Sequence, residues 1–167
     1  MKPKTAVYQG TFDPFTCGHL SVLKSARKLF DEVVVLLLVN PTKTPLFSVA
    51  ERAEMINAAA EEANLACVRV DSYEGLLADY MHAQGLTCCV RGVRNGRDAE
   101  FELENHRLSR VFYPQLQTIL LPCDPAWQDV SSSALKAACV CGRVPAQWVP
   151  QAVQRKLKEK YPSVVFF

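Results

Sequence analysis

Two apolar runs open the chain, TAVYQG at 5–10 and EVVVLLLVN at 32–40, with a polar-studded segment between them. The second run shows no polar alternation, the pattern of a parallel strand covered on both faces. ACVRVDSY (66–73), TCCVRGV (87–93) and QTILLP (117–122) continue the series. Helical spacing fills the intervals at 19–30, 49–63, 75–84 and 98–112, and two further helices are predicted near 132–138 and 150–160. Ser48 followed by Glu51 is a capping box, in which hydroxyl and carboxylate satisfy free backbone donors at a helix start. Five strands alternating with helices predict an α/β fold: a five-stranded parallel sheet, Rossmann-like, with helices on both faces. Ligands of such sheets bind beyond the carboxyl ends of the strands. The loops to inspect are therefore 9–19, 40–47, 73–77, 91–98 and 122–133.

Composition narrows the picture only a little. The 167 residues show no linker, repeat or low-complexity segment, which predicts one domain over 1–167. A net charge of +2 gives no basic or acidic tail, so neither nucleic acid nor a membrane is expected as a partner. The run after MKPK is too short for a signal peptide, and nothing approaches the roughly 18 apolar residues of a membrane span. A soluble, cytoplasmic protein is expected. The seven cysteines form no C-x-x-C pair, and His82 and His106 have no partners at zinc spacing. Buried free thiols are expected, with Cys17 the one placed where it could be accessible.

The predicted loops hold most of the unusual chemistry. In GTFDPFTCGH (10–19), Gly10 lets backbone approach a ligand and Gly18 eases the turn into the helix. His19 falls in or beside the first helical turn, where free N–H groups favour an anion and an imidazole N–H adds a donor. Lys43 in NPTKTPLF is a mobile charge at the ligand edge of the sheet. Arg91 and Arg94 flank Gly92 in RGVRNGRD, and guanidiniums suit a polyphosphate. Ser131, Ser132 and Ser133 open a helix after Trp127, where hydroxyls and N–H groups can cap the helix or hold phosphate. There is no P-loop motif, nucleophile elbow or evident covalent nucleophile. The set suits stabilisation of charge on a phosphoryl group in flight.

YQGTFDPFTCGH resembles the (T/H)-x-G-H signature of nucleotidylyltransferases, with Thr16 and His19 at its ends. More narrowly, this motif together with NPTKTPLFSVAER, RGVRNGRD and LPCDPAWQDVSSSALK is similar to the bacterial phosphopantetheine adenylyltransferase family over nearly the whole chain. The resemblance implies adenylyl transfer from ATP to 4′-phosphopantetheine, giving 3′-dephospho-coenzyme A and pyrophosphate. It implies His19 as stabiliser of the transition state, with Lys43 and Arg91 also catalytic. Thr11, Lys43, Leu77 and Arg91 would bind the acceptor. Thr11, Phe12, His19, Gly92, Val93, Arg94, Glu102 and the segment Trp127, Gln128, Asp129, Val130, Ser131, Ser132, Ser133 would hold ATP. Mg²⁺ would screen the β- and γ-phosphates without a dedicated protein site. Coenzyme A is a candidate feedback ligand, and a homo-oligomer, a hexamer by resemblance, is expected.

The chain departs from the family pattern at Ala99, where an aromatic is usual, at Ser109 in place of Asn, and at Asp129 in place of an aromatic. These changes bear on the acceptor pocket more than on the transfer. Lys136, where nicotinate-nucleotide enzymes have Arg, disfavours that relative. The absence of a KMSKS-like segment disfavours an aminoacyl-tRNA synthetase fragment. A non-catalytic sensor would not need His19, Lys43 and Arg91 together, and a flavodoxin-like carrier would leave those cations unexplained. The apolar tail YPSVVFF fits either a neighbouring chain or its own core.

Overall fold

The structure, a computed structural model, describes residues 4–39 and 44–167. Its main sheet comprises β1 (Thr5–Gly10), β2 (Glu32–Val39), β3 (Val68–Glu74), β4 (Cys88–Val93) and β5 (Gln117–Pro122), all parallel, in the order β3-β2-β1-β4-β5. Helices α1 (Cys17–Leu29), α2 (Val49–Glu62), α3 (Leu77–Gln84), α4 (Gly96–Phe112), α5 (Ser132–Val140) and α6 (Gln151–Lys160) surround it. The expected fold class and element order are present. The capping box at Ser48 and Glu51 forms as predicted, with Ser48 N donating to Glu51 Oε2 at 2.8 Å.

Strand alternation divides the core between the two faces of the sheet. Ala6 and Tyr8 of β1 and Val33, Val35 and Leu37 of β2 pack with α1, α2, α5 and α6. Val7, Val34 and Leu36 point the other way, onto α3 and onto Tyr113 and Leu116 beyond α4. Helix α4 itself buries only Glu102 and leaves Phe101, Leu108, Val111 and Phe112 exposed.

The tail packs on its own chain. Val164 is buried in the larger core, and β7 (Val165–Phe166) pairs in parallel with β6 (Arg143–Val144). Two-residue strands carry no readable periodicity, so this small second sheet lay beyond the pattern. All seven cysteines are free, but only Cys89 and Cys139 are buried. Cys17, expected to be accessible, is half-buried, and burial pushes its thiol up to about 11, which disfavours the thiolate.

Among the described residues no helix is long and apolar enough to cross a membrane. The strand order reverses at β1, so the loops leaving β1 and β4 part and open a crevice between them.

Candidate functional site

The crevice begins where the β1–β4 ladder stops. The two strands pair only Val7 with Cys89 and Tyr8 with Val90, whereas β1 and β2 stay in register to Gly10. Past that point an Arg91 guanidinium nitrogen donates to the Gln9 carbonyl at 2.9 Å, replacing a ladder bond with a side chain. A cleft of about 550 Å³ opens above it.

His19 is held there by helix-start chemistry. Thr16 caps α1, and its backbone N–H donates to His19 Nδ1 at 3.0 Å while His19 N donates to Thr16 Oγ1 at 3.3 Å. An accepting Nδ1 leaves the proton of the neutral ring on Nε2. Phe12 meets the imidazole edge-on at 5.1 Å, and Phe15 lies 5.6 Å away. Burial, then the charges of Arg94 and Arg91, push the His19 pKa down to about 4. The ring is thus a neutral hydrogen-bond donor near pH 7, not an imidazolium.

Each arginine and lysine described on the cleft wall has an acidic partner. Arg91 forks onto the buried Glu102 with two bonds of 2.6 Å. Arg94 does the same to Asp98, at 2.8 and 3.2 Å, and that contact holds the Asp98 carboxyl below its ordinary range. Lys136 of α5 reaches Asp13 at 3.3 Å. The Asp13 oxygens also accept from Leu46 N and Phe47 N, each at 2.9 Å, tying the first loop to the approach into α2.

The predicted residues divide accordingly. Thr11, Phe12 and His19 line the cleft from the first loop, and Gly92, Arg94 and Glu102 do so with Arg91 from the β4–α4 side. Val130 and Ser131, leading into α5, and Ser132 and Ser133 of its first turn close it from the other side. Ser131 caps that helix, accepting from Ala134 N at 3.1 Å, and the Ser132 hydroxyl donates to the Pro14 carbonyl at 2.8 Å. Ser133 is exposed. Trp127, Gln128, Asp129 and Val93 are not on the wall, and the Trp127 ring N–H is turned to the Gln147 carbonyl. Leu77 lies in the smaller core with Tyr80 and Met81. Lys43 falls outside the described residues. Phe101 and Lys136 are wall residues that the loop motifs did not assign; for Lys136 the four-residue spacing from Ser132 on α5 was the available signal.

A parallel sheet with a donor-lined crevice at a helix start defines a protein that handles nucleotides and phosphate esters. A model of the cytidylyltransferase-like family matches residues 7–138. In fold, the chain resembles a Vibrio parahaemolyticus protein provisionally assigned as a nicotinate-nucleotide adenylyltransferase, with TM-score 0.68 and 18% identity over 94% of this chain and 92% of that one. The class is thus that of the nucleotidylyltransferases. The phosphopantetheine adenylyltransferase of Syntrophus aciditrophicus is 41% identical over 95% of each chain. That of Thermotoga neapolitana is 39% identical over 93% of this chain and 95% of its own. This chain belongs to the phosphopantetheine adenylyltransferase family.

Proposed function

We infer that the chain transfers the adenylyl group of ATP to 4′-phosphopantetheine, releasing pyrophosphate and 3′-dephospho-coenzyme A, a step of coenzyme A synthesis. The observation that carries the mechanism is the His19 ring, fixed through Nδ1 with its Nε2–H free beside the crevice. An acceptor phosphate oxygen attacks the α-phosphorus, a new P–O bond forms, and the α–β bridging bond breaks with its electrons leaving on pyrophosphate. The acceptor phosphate has a second pKa near 6, so it attacks as a dianion without a general base. Charge that gathers on the α-phosphoryl oxygens is met by the neutral His19 donor and by loop N–H groups. Arg94, Lys136 and Ser133 are assigned to the leaving pyrophosphate; Arg91, steadied by Glu102, is assigned to the acceptor with Thr11 and Lys43.

Mg²⁺ would neutralise charge on the β- and γ-phosphates. Asp13, Asp98 and Glu102 are each committed to a cation, a donor set that suits a metal carried in by ATP rather than one held by the protein. A homo-oligomer formed through the exposed apolar side of α4 is proposed from Phe101, Leu108, Val111 and Phe112, and light scattering that finds a monomer would count against it. Coenzyme A, sharing the product's pantetheine arm, is proposed as a competitor for the same crevice.

The deciding assay supplies ATP with a panel of phosphorylated acceptors and follows pyrophosphate. Release is expected with 4′-phosphopantetheine and not with nicotinate mononucleotide; the reverse preference would overturn the assignment.

A further inference from the structure

Arg52, on the first turn of α2, is 3% exposed, and no carboxylate among the described residues pairs with it. A buried guanidinium without an acid is uncommon, because desolvation of the charge must be offset by other contacts. Here two carbonyls supply them. Nε donates to the Ser48 carbonyl at 3.3 Å, and a terminal nitrogen donates to the Thr11 carbonyl at 2.8 Å. Arg52 is absent from the cleft wall, while Thr11 and Phe12 are part of it.

The Thr11 carbonyl belongs to the peptide that leads into Phe12, whose φ is 47°. A bulky residue in this left-handed region is an outlier that its surroundings must enforce. The carbonyl and N–H of a trans peptide point in opposite directions. With the carbonyl drawn back onto Arg52, the Phe12 N–H is turned away from α2, and among the described residues no acceptor takes it. Flipping this one peptide would return Phe12 to negative φ and reverse the N–H. Two anchors oppose the flip. One is the Arg52 bond; the other is the Phe12 ring, wedged edge-on against Tyr8 at 5.1 Å, Phe15 at 5.5 Å and His19 at 5.1 Å.

We propose that Arg52 is a positioning residue for adenylyl transfer, holding the Thr11–Phe12 peptide so that the Phe12 N–H is presented to the polyphosphate of ATP. The same charge-assisted bond polarises that peptide and makes its N–H a stronger donor. The role rests on the placement of the polyphosphate at the first loop proposed above.

The test combines kinetics with amide NMR on the full chain, using α,β-methylene-ATP as the probe. In the unsubstituted chain the Phe12 amide resonance moves downfield when the probe is added. In Arg52→Met that response disappears and kcat falls about 100-fold, the order expected for displacing a loop donor by about 1 Å. The KM for phosphopantetheine rises far less than kcat falls, because Thr11, assigned to the acceptor, moves only through the same peptide. Arg52→Lys, whose compact ammonium replaces a two-carbonyl fork, gives intermediate values of both readouts, and it carries the test alone if Arg52→Met does not fold. A variant that melts earlier but keeps both kcat and the Phe12 response would overturn the role of Arg52 alone. A Phe12 amide indifferent to the probe in the unsubstituted chain would instead remove the polyphosphate from this loop.

Discussion

Replacing His19 with Gln should change how folding stability depends on acidity. In the folded protein the imidazole titrates near 4, pushed down chiefly by burial, whereas an unfolded chain titrates it near 6.5. Between those values the unfolded state binds the additional proton, so stability falls as pH falls. The contribution lost is about 2 kcal/mol by pH 5 and about 3 kcal/mol below pH 4, at about 1.4 kcal/mol per unit of pKa difference. Gln cannot titrate, and the other ionisable groups stay as they are. The stability difference between the two chains should therefore narrow, and move in favour of the variant, as pH drops from 7 to 4.5. Urea denaturation at half-unit pH steps measures this directly. The variant also loses the imidazole's part in the capping box, an offset of about 1 kcal/mol that does not vary with pH. Parallel stability curves would refute the reasoning, since an imidazole that charges freely in the fold is not the neutral donor the mechanism requires.

His19→Ala should lower kcat at least about 100-fold, for a loss of about 2.7–4 kcal/mol of barrier stabilisation, with a smaller change in ATP affinity; single-turnover and binding measurements separate the two. Glu102→Ala leaves the partly buried Arg91 guanidinium without its partner and should cost about 3 kcal/mol in urea denaturation while raising the KM for phosphopantetheine. Gly92→Ala sets a new methyl 2.8 Å from a Val22 methyl, and should destabilise by about 1–3 kcal/mol; adding Val22→Ala should restore part of that loss in thermal melts.

The sheet was legible because its strands are apolar runs separated by helix-length intervals, and the Ser48–Glu51 box marked the start of α2 to the residue. The alternation of strands and helices told where to look, since ligand chemistry in parallel sheets gathers at the loops after strands. The pairing of charges was much less visible. Nothing in RGVRNGRD says that Arg91 is already gripped by a glutamate eleven positions on, because that contact depends on how α4 lies over β4. Arg52 was hidden for a similar reason: a helical arginine reads as a solvated side chain until its carbonyl partners, one of them forty-one residues away in sequence, are seen. Leu77 shows the reverse, an apolar residue at a loop edge that packs into the core.

The coupling of each described wall cation to its own acid has a consequence for capture. Arg91 with Glu102, Arg94 with Asp98 and Lys136 with Asp13 form short dipoles whose far fields largely cancel. Such an arrangement draws anions weakly across the roughly 8 Å over which physiological salt lets charges act, so collision frequency should respond little to ionic strength. Discrimination then begins only at contact, when a phosphate competes with a carboxylate for the same guanidinium, and that exchange favours ligands bearing several negative oxygens over singly charged metabolites.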